Sequence, residues 1–198
     1  MRFESLAVEL GMPAPDFSLP ATDGGLHTLR DVAGEKATLV AFICNHCPFV
    51  LHIVDGFVEF AREYQDKGVG VVAVSSNDVE AHPEDGPEQM AAFAKEHGFT
   101  FPYLYDKEQE VAKAFKAVCT PDFFLYDANL ELAYCGQFDG SRPRTEHSKG
   151  ERTRLPVTGK DLRAAVDAVI AGRPVPEPQR PSNGCSMKWK AGNEPEWG

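Results

Sequence analysis

A chain of 198 residues is long enough for one domain with a sizeable core and too short for two ordinary ones. Its 20 basic against 30 acidic residues leave a net charge of -10, which disfavours nucleic acid or an anionic membrane surface as the main partner. The opening residues MRFESLAVELGMPAPDF break their few apolar positions with Glu4, Glu9 and Asp16, and no apolar run is long enough to cross a bilayer. Neither a membrane span nor a signal peptide is therefore expected, and the reducing cytoplasm is the expected compartment.

In chain order, PAPDFSLPATDGGLHTL predicts two short extended pieces around the turn Asp23-Gly24-Gly25, a hairpin. ATLVAFIC, residues 37–44, is a near-continuous apolar run, as in a strand buried on both faces of a sheet. From Phe49 the period changes: Val50, Ile53, Val54, Phe57, Val58, Phe60, Ala61 and Tyr64 form a helical stripe that stops at Lys67-Gly68. VGVVAVSS, residues 69–76, reads as a second buried strand, EQMAAFAKEHG as a helix closed by Gly98, FPYLY as a short strand and EQEVAKAFKAV as another helix. DFFLYD and LELAYCG form an expected antiparallel pair across Ala128-Asn129, and TGKDLRAAVDAVIAG closes the series with Thr158 as N-cap and Gly172 as the stop. Alternating strands and helices predict an α/β fold with a central mixed sheet flanked by helices.

Pro174, Pro176, Pro178 and Pro181 end regular structure, so residues 1–172 are read as one domain and 173–198 as a C-terminal tail. In that tail Met187 and Trp189 are alternate apolar residues, and burying one as large as Trp189 stabilises docking by roughly 2–3 kcal/mol. The tail is therefore expected to be ordered and folded back, with Gly184 permitting a sharp turn and Cys185 within possible reach of Cys44.

Five cysteines are too few and too unevenly placed for a disulfide scaffold, so the close pair in CNHC reads as a redox dithiol, part of a metal site, or two packed thiols. Placed where the strand ends and the helix begins, Cys44 faces free helix N–H groups, which can lower a thiol pKa to about 3.5–7.5. This makes Cys44 the candidate nucleophile and Cys47 the residue that resolves its mixed disulfide. Zinc usually takes four ligands and there is no second C-x-x-C, whereas Cu(I) accepts two thiolates and an imidazole, so a Cu(I)-binding protein is the alternative outside the enzymes.

The order of CNHC and VCTPDFFLYD, with Thr120-Pro121 just before a strand, resembles the thioredoxin superfamily. FICNHCPFV, VCTPDFFLYD, GQFDGSRP and GCSMKWK further resemble bacterial thioredoxin-like proteins grouped with the redoxins and the alkyl hydroperoxide reductase/thiol-specific antioxidant proteins, over roughly residues 10–190. The resemblance implies a thioredoxin-like fold and a thiol-disulfide oxidoreductase. It also implies a cis Pro121, a Thr120 backbone that pairs with a protein or small-molecule thiol or disulfide partner, and no metal or organic cofactor.

Two departures matter: Ile43 stands where thioredoxins carry Trp, and Thr38 where they carry a buried Asp, so proton handling is expected to lack its usual carboxylate. Peroxiredoxins place Thr at the position of Cys44 and use the equivalent of Cys47 against peroxide. Cys44 therefore favours disulfide exchange, with a Cys47-based peroxidase as the alternative. His46 is either an exposed helix-start residue or a modulator whose N–H or charge stabilises the Cys44 thiolate, as in strongly oxidising members of the superfamily. Cys119, two residues before Pro121, is expected to pack or to join the redox chemistry, and Cys135 to be a buried strand thiol. Arg142, Arg144, Lys149, Arg152 and Arg154 read as a solvated loop, or as a docking patch for an acidic protein or anionic thiol. His147 has no partner at metal-ligand spacing, and His52, His82 and His97 read as surface or helix residues.

Overall fold

The computed structural model describes residues 2–144 and 150–197; His147 and Lys149 of the basic segment lie outside them. The first strand is β1 (Arg2–Glu4), followed by the expected hairpin of β2 (Ser18–Pro20) and β3 (Leu26–Thr28). A short helix α1 (Leu29–Val32) follows, capped by Thr28 and Asp31 in a reciprocal box. Then come β4 (Ala37–Phe42), α2 (Pro48–Gln65), β5 (Val69–Ser75), a 3-10 turn (Pro83–Asp85), α3 (Pro87–His97) and β6 (Tyr103–Tyr105). The remainder is α4 (Glu110–Phe115), β7 (Cys119–Thr120), β8 (Asp122–Asp127), β9 (Leu132–Gly136), a second 3-10 turn (Glu151–Arg154), α5 (Lys160–Ile170) and β10 (Asn183–Ser186).

The main sheet runs β6-β5-β4-β8-β9, with β4, β5 and β6 parallel and β8 and β9 antiparallel to their neighbours. Strand alternation separates two cores: Leu39, Ala41, Phe123 and Leu125 face one side, and Val40, Phe42, Phe124 and Tyr126 the other. The first core receives the apolar stripe of α2, including Phe57 and Phe60, together with Leu162 and Val166 of α5. Each such side chain, fully buried, stabilises the fold by roughly 1.5–3 kcal/mol. The second core is closed by Leu29 of α1, Phe115 of α4 and Phe17 before the hairpin.

Three local expectations are corrected. The helix expected from EQEVAKAFKAV is shorter, because Gln109 and Lys116 both have positive φ. The Gln109 side chain is buried and donates from Nε2 to Ser76 O and Lys188 O, so it serves the tail rather than a helix face. Thr158 is not the cap of α5. That position is Gly159 with φ +64°, and the amides of Thr158 and Gly159 donate to Asp139 Oδ2 at 2.6 and 2.7 Å. Gly184 makes no turn: it lies inside β10, where a Cβ would fall 2.0 Å from Thr120 O, so only glycine allows the backbones to approach so closely.

The segment from Arg173 folds back over the domain. β10 runs between β1 and β7 in a second, smaller sheet, Met187 is buried and Trp189 packs against the second core. Lys188 N donates to Asn77 Oδ1 at 2.9 Å, and Asp78 N donates to Lys188 O at 2.8 Å. The order expected from Met187 and Trp189 therefore comes with a strand between two others, which apolar spacing did not announce.

Candidate active site

The dithiol loop follows the C-terminal end of β4, the central strand, and α2 begins at Pro48, where a missing N–H costs least. Between them Asn45, His46 and the two cysteines form the loop. The N-cap of α2 is Cys47, not Cys44, which corrects the expectation that Cys44 sits at the helix mouth. Cys44 and Cys47 are 1% and 0% exposed, and both touch Thr120. Cys44 Sγ is 3.3 Å from Thr120 Oγ1, and the Cys47 thiol donates to Thr120 O at 3.1 Å. The Thr120-Pro121 peptide is cis.

A carboxylate reaches this site from elsewhere in the chain. Asp85, in the 3-10 turn after β5, is 0% exposed, and its Oδ1 accepts from Asn45 N–H at 2.8 Å. Its Oδ2 accepts from Asn77 Nδ2 at 2.8 Å and lies 2.8 Å from His46 Nδ1. Where Thr38 leaves the strand without a buried carboxylate, a loop brings one within 4.8 Å of Cys44 Sγ. Burial pushes the Asp85 carboxyl up, but His46, Asn77 and the Asn45 amide together hold it below its ordinary value. The Asp85 hydrogen bond in turn raises the His46 imidazole against its burial. His82, read as a surface residue, stacks on His46 with ring centroids 5.2 Å apart.

The two thiols are polarised in opposite directions. Burial opposes charge on Cys47, yet the neighbouring Cys185 and Cys44 thiols and the Val50 N–H outweigh it and pull Cys47 well below the ordinary thiol range. The Cys47 hydrogen bond, burial and the Asp85 charge hold Cys44 above it. The Cys47 contact to Thr120 O is a donor's contact, so it exists only while Cys47 keeps its proton. Thr120 thus offers an acceptor to the Cys47 thiol and a hydroxyl to the Cys44 sulfur.

The remaining candidates divide. Cys119 is fully buried, and as the strand neighbour of Thr120 it points to the opposite face, where its Sγ is 3.8 Å from Pro121 O. Cys135 lies in β9, its thiol raised by burial and Asp122. Arg142 corrects the reading of a solvated loop: it is 6% exposed, with Nη1 donating to Asp139 O and Ser141 O, while Arg144, Arg152 and Arg154 are exposed. A cleft of about 20 Å³, room for a single water, lies beside Pro121, with Phe49, Ile53, Phe138 and Arg142 in its lining. Among the described residues, Cys44, His46 and Asp85 bring a sulfur, a nitrogen and an oxygen within 4.8 Å of one another, as do the donors of His46, His82 and Glu84. Their carboxylates suit a hard or borderline ion better than the Cu(I) suggested by the thiols.

The family model of AhpC/TSA matches residues 10–135. The chain belongs to the AhpC/TSA family. It is 31% identical over 126 residues to the thiol-disulfide oxidoreductase ResA of Geobacillus thermodenitrificans, covering 64% of this chain and 68% of that one. The crystal structure of an uncharacterized conserved protein from Geobacillus kaustophilus is 51% identical, with a TM-score of 0.89 and coverage of 96% of this chain and 97% of that one. A thiol:disulfide interchange protein of the thioredoxin family from Chlorobium tepidum superposes with a TM-score of 0.60 at 19% identity, over 83% of this chain and 99% of that one. The fold of this AhpC/TSA member is thioredoxin-like, with a central mixed sheet, flanking helices and an N-terminal hairpin.

Proposed function

We propose that this thiol-disulfide oxidoreductase works through Cys44 as nucleophile and Cys47 as resolving thiol. The observation that carries the reading is the grip of one residue, Thr120, on both sulfurs beside a cis-proline. Cys44 gives up its proton to the medium, against the Cys47 and Asp85 neighbours that hold its thiol up, and Thr120 Oγ1 donates to the thiolate as it forms. That thiolate attacks one sulfur of a partner disulfide, forming a mixed disulfide and releasing the first partner thiol. Cys47 then attacks Cys44 Sγ; the Cys44–Cys47 bond forms, the mixed bond breaks and the second partner thiol leaves. Two electrons pass to the partner. The reducing cytoplasm is the setting we propose.

In turnover of insulin disulfides with dithiothreitol, Cys44→Ser and Cys47→Ser are each expected to fall to the uncatalysed background. A Cys44→Ser protein that keeps the parent rate overturns the reading.

One observation favours a second reading. Cys47, at the helix N-cap, is the sulfur on which charge is best held, as a peroxide-reactive thiol requires. Attack of its thiolate on hydrogen peroxide forms a sulfenic acid and releases water; Cys44 then forms the disulfide and releases a second water. Stopped-flow mixing of reduced protein with peroxide separates the two. A fast reaction that survives Cys44→Ser and vanishes in Cys47→Ser selects the peroxidase.

A further inference from the structure

The third thiol at this site is in the C-terminal strand. Cys185 stands directly opposite Thr120 in the antiparallel pair of β10 and β7, and residues directly opposite one another project to the same face. The Thr120 side chain meets Cys44 on that face, and Cys47 donates to the Thr120 carbonyl. Cys185 accordingly packs against the core cluster that holds Cys44 and Cys47, close enough for the Cys185 and Cys47 thiols to influence one another. The folded-back tail was expected to bring Cys185 toward Cys44, and the resemblance left the Thr120 edge to a partner; here the chain's own strand lies along that edge. The strand is held on both sides, with Cys185 opposite Arg2 of β1 as well as Thr120 of β7. Gly184 lets it approach closely, and Met187 N donates to Val118 O at 2.9 Å. Of the three thiols only Cys185 is not buried.

We propose that Cys185 is a third redox residue that accepts the disulfide from Cys44–Cys47 and presents it to the external reductant. This inference rests on the dithiol reading. The Cys185 thiolate attacks Cys47 Sγ; the Cys44–Cys47 bond breaks and the Cys47–Cys185 bond forms. Cys44 leaves as thiolate and takes up the proton that Cys185 gave up, so no electrons are gained or lost by the chain. A reductant of the monothiol class, such as glutathione, then attacks Cys185 Sγ, and Cys47 departs as the leaving thiolate. A second thiol attacks the resulting mixed disulfide, returning Cys185 to the thiol and yielding one reductant disulfide; two electrons have entered. The half-buried sulfur is the one such a thiol meets first.

The reduced full-length protein is treated with diamide, quenched with acid, alkylated with iodoacetamide and mapped by peptide mass spectrometry. A population with Cys47 joined to Cys185 and Cys44 alkylated is the expected result. Only Cys44–Cys47, with Cys185 fully alkylated, overturns this inference and leaves the dithiol reading standing. Alkylation of all three cysteines overturns both. In Cys44→Ser protein the same treatment is expected to give an intramolecular Cys47–Cys185 bond. Dimers linked through Cys185 in place of that bond overturn the internal transfer.

Discussion

Asp85, in the loop after β5, and Asp122, at the start of β8, are both 0% exposed, yet their carboxyls move in opposite directions. Asp85 belongs to the loop that carries Asn77 and faces His46, where two N–H donors and an imidazole surround it. Asp122 follows cis-Pro121 on the strand side, where burial pushes it up to about 7 although Ser5 Oγ donates to its Oδ1 at 2.6 Å. The result is an ionised carboxylate near Cys44 and, in the strand that follows cis-Pro121, one that keeps its proton up to about pH 7. Asp122 has donors of its own in Ser5, Ser182 and two backbone amides, so what separates the pair is the imidazole beside Asp85 and the deeper burial of Asp122, which favours its neutral form. The dithiol loop thus has an ionic wall at Asp85, and the strand after Pro121 a neutral one at Asp122.

Removing the proton acceptor on the neutral wall gives the largest effect. Between the unfolded value of 3.8 and about 7, the folded protein holds a proton on Asp122 that the unfolded chain has lost, so stability falls as pH rises across that window and levels off above it. Asp122→Asn is expected to remove this slope, on the order of 4 kcal/mol between the two ends. Urea unfolding at a series of pH values measures it, and an unchanged slope would contradict the protonated state.

Asp85→Asn strips the ionic wall. Turnover is expected to fall by roughly 10²-fold, and Cys44 alkylation to shift to lower pH, because a negative charge that holds its thiol up has gone. Asp85→Glu should recover part of both. Stability moves the other way from Asp122: the Asp85 contribution is present above 3.8 and lost as pH falls through its lowered folded value, so Asp85→Asn should flatten the acid limb. A rate loss with no movement of the alkylation profile would make Asp85 a purely structural support.

Ser5→Ala sharpens the comparison from the neutral side. Losing the 2.6 Å hydrogen bond should move the Asp122 titration up by about one unit, read by carboxyl NMR. The smallest effect is expected of His46→Ala. Its side chain is 27% exposed, and losing its positive charge should make the dithiol less oxidising by about 30 mV in a glutathione buffer. An unmoved potential would assign His46 to holding Asp85 alone.

Much of the site was legible because it is local. CNHC at a change from strand to helix period, and Thr-Pro before an apolar strand, place the two sulfurs and their threonine together once the strands pair. Asp85 was not legible: EDGPEQ looks like an ordinary acidic helix start, and nothing in its neighbours shows that the 3-10 turn swings the carboxylate under Asn45. His82 escaped for the same reason, since its stacking partner His46 lies across a strand and a helix. Arg142 was misread because a guanidinium is soluble by default, and only the carbonyls of Asp139 and Ser141 make its burial tolerable.

The sequence by itself determined the periodic parts: the buried strands β4 and β5, the stripe of α2, the hairpin at Asp23-Gly24-Gly25 and the β8–β9 pair. Each is encoded in the spacing of residues a few positions apart, and burial then enforces that spacing. Only the tertiary structure decided which cysteine caps the helix, which carboxylate serves the pair and where Cys185 lies. The cap turned on where α2 begins, at Pro48 and not earlier. Asp85 reaches Asn45 from the loop after the neighbouring strand, and β10 joins β7 because Gly184 lets two backbones touch. Such contacts join residues far apart in the chain through single hydrogen bonds and one missing Cβ, which leave no period in the sequence to read.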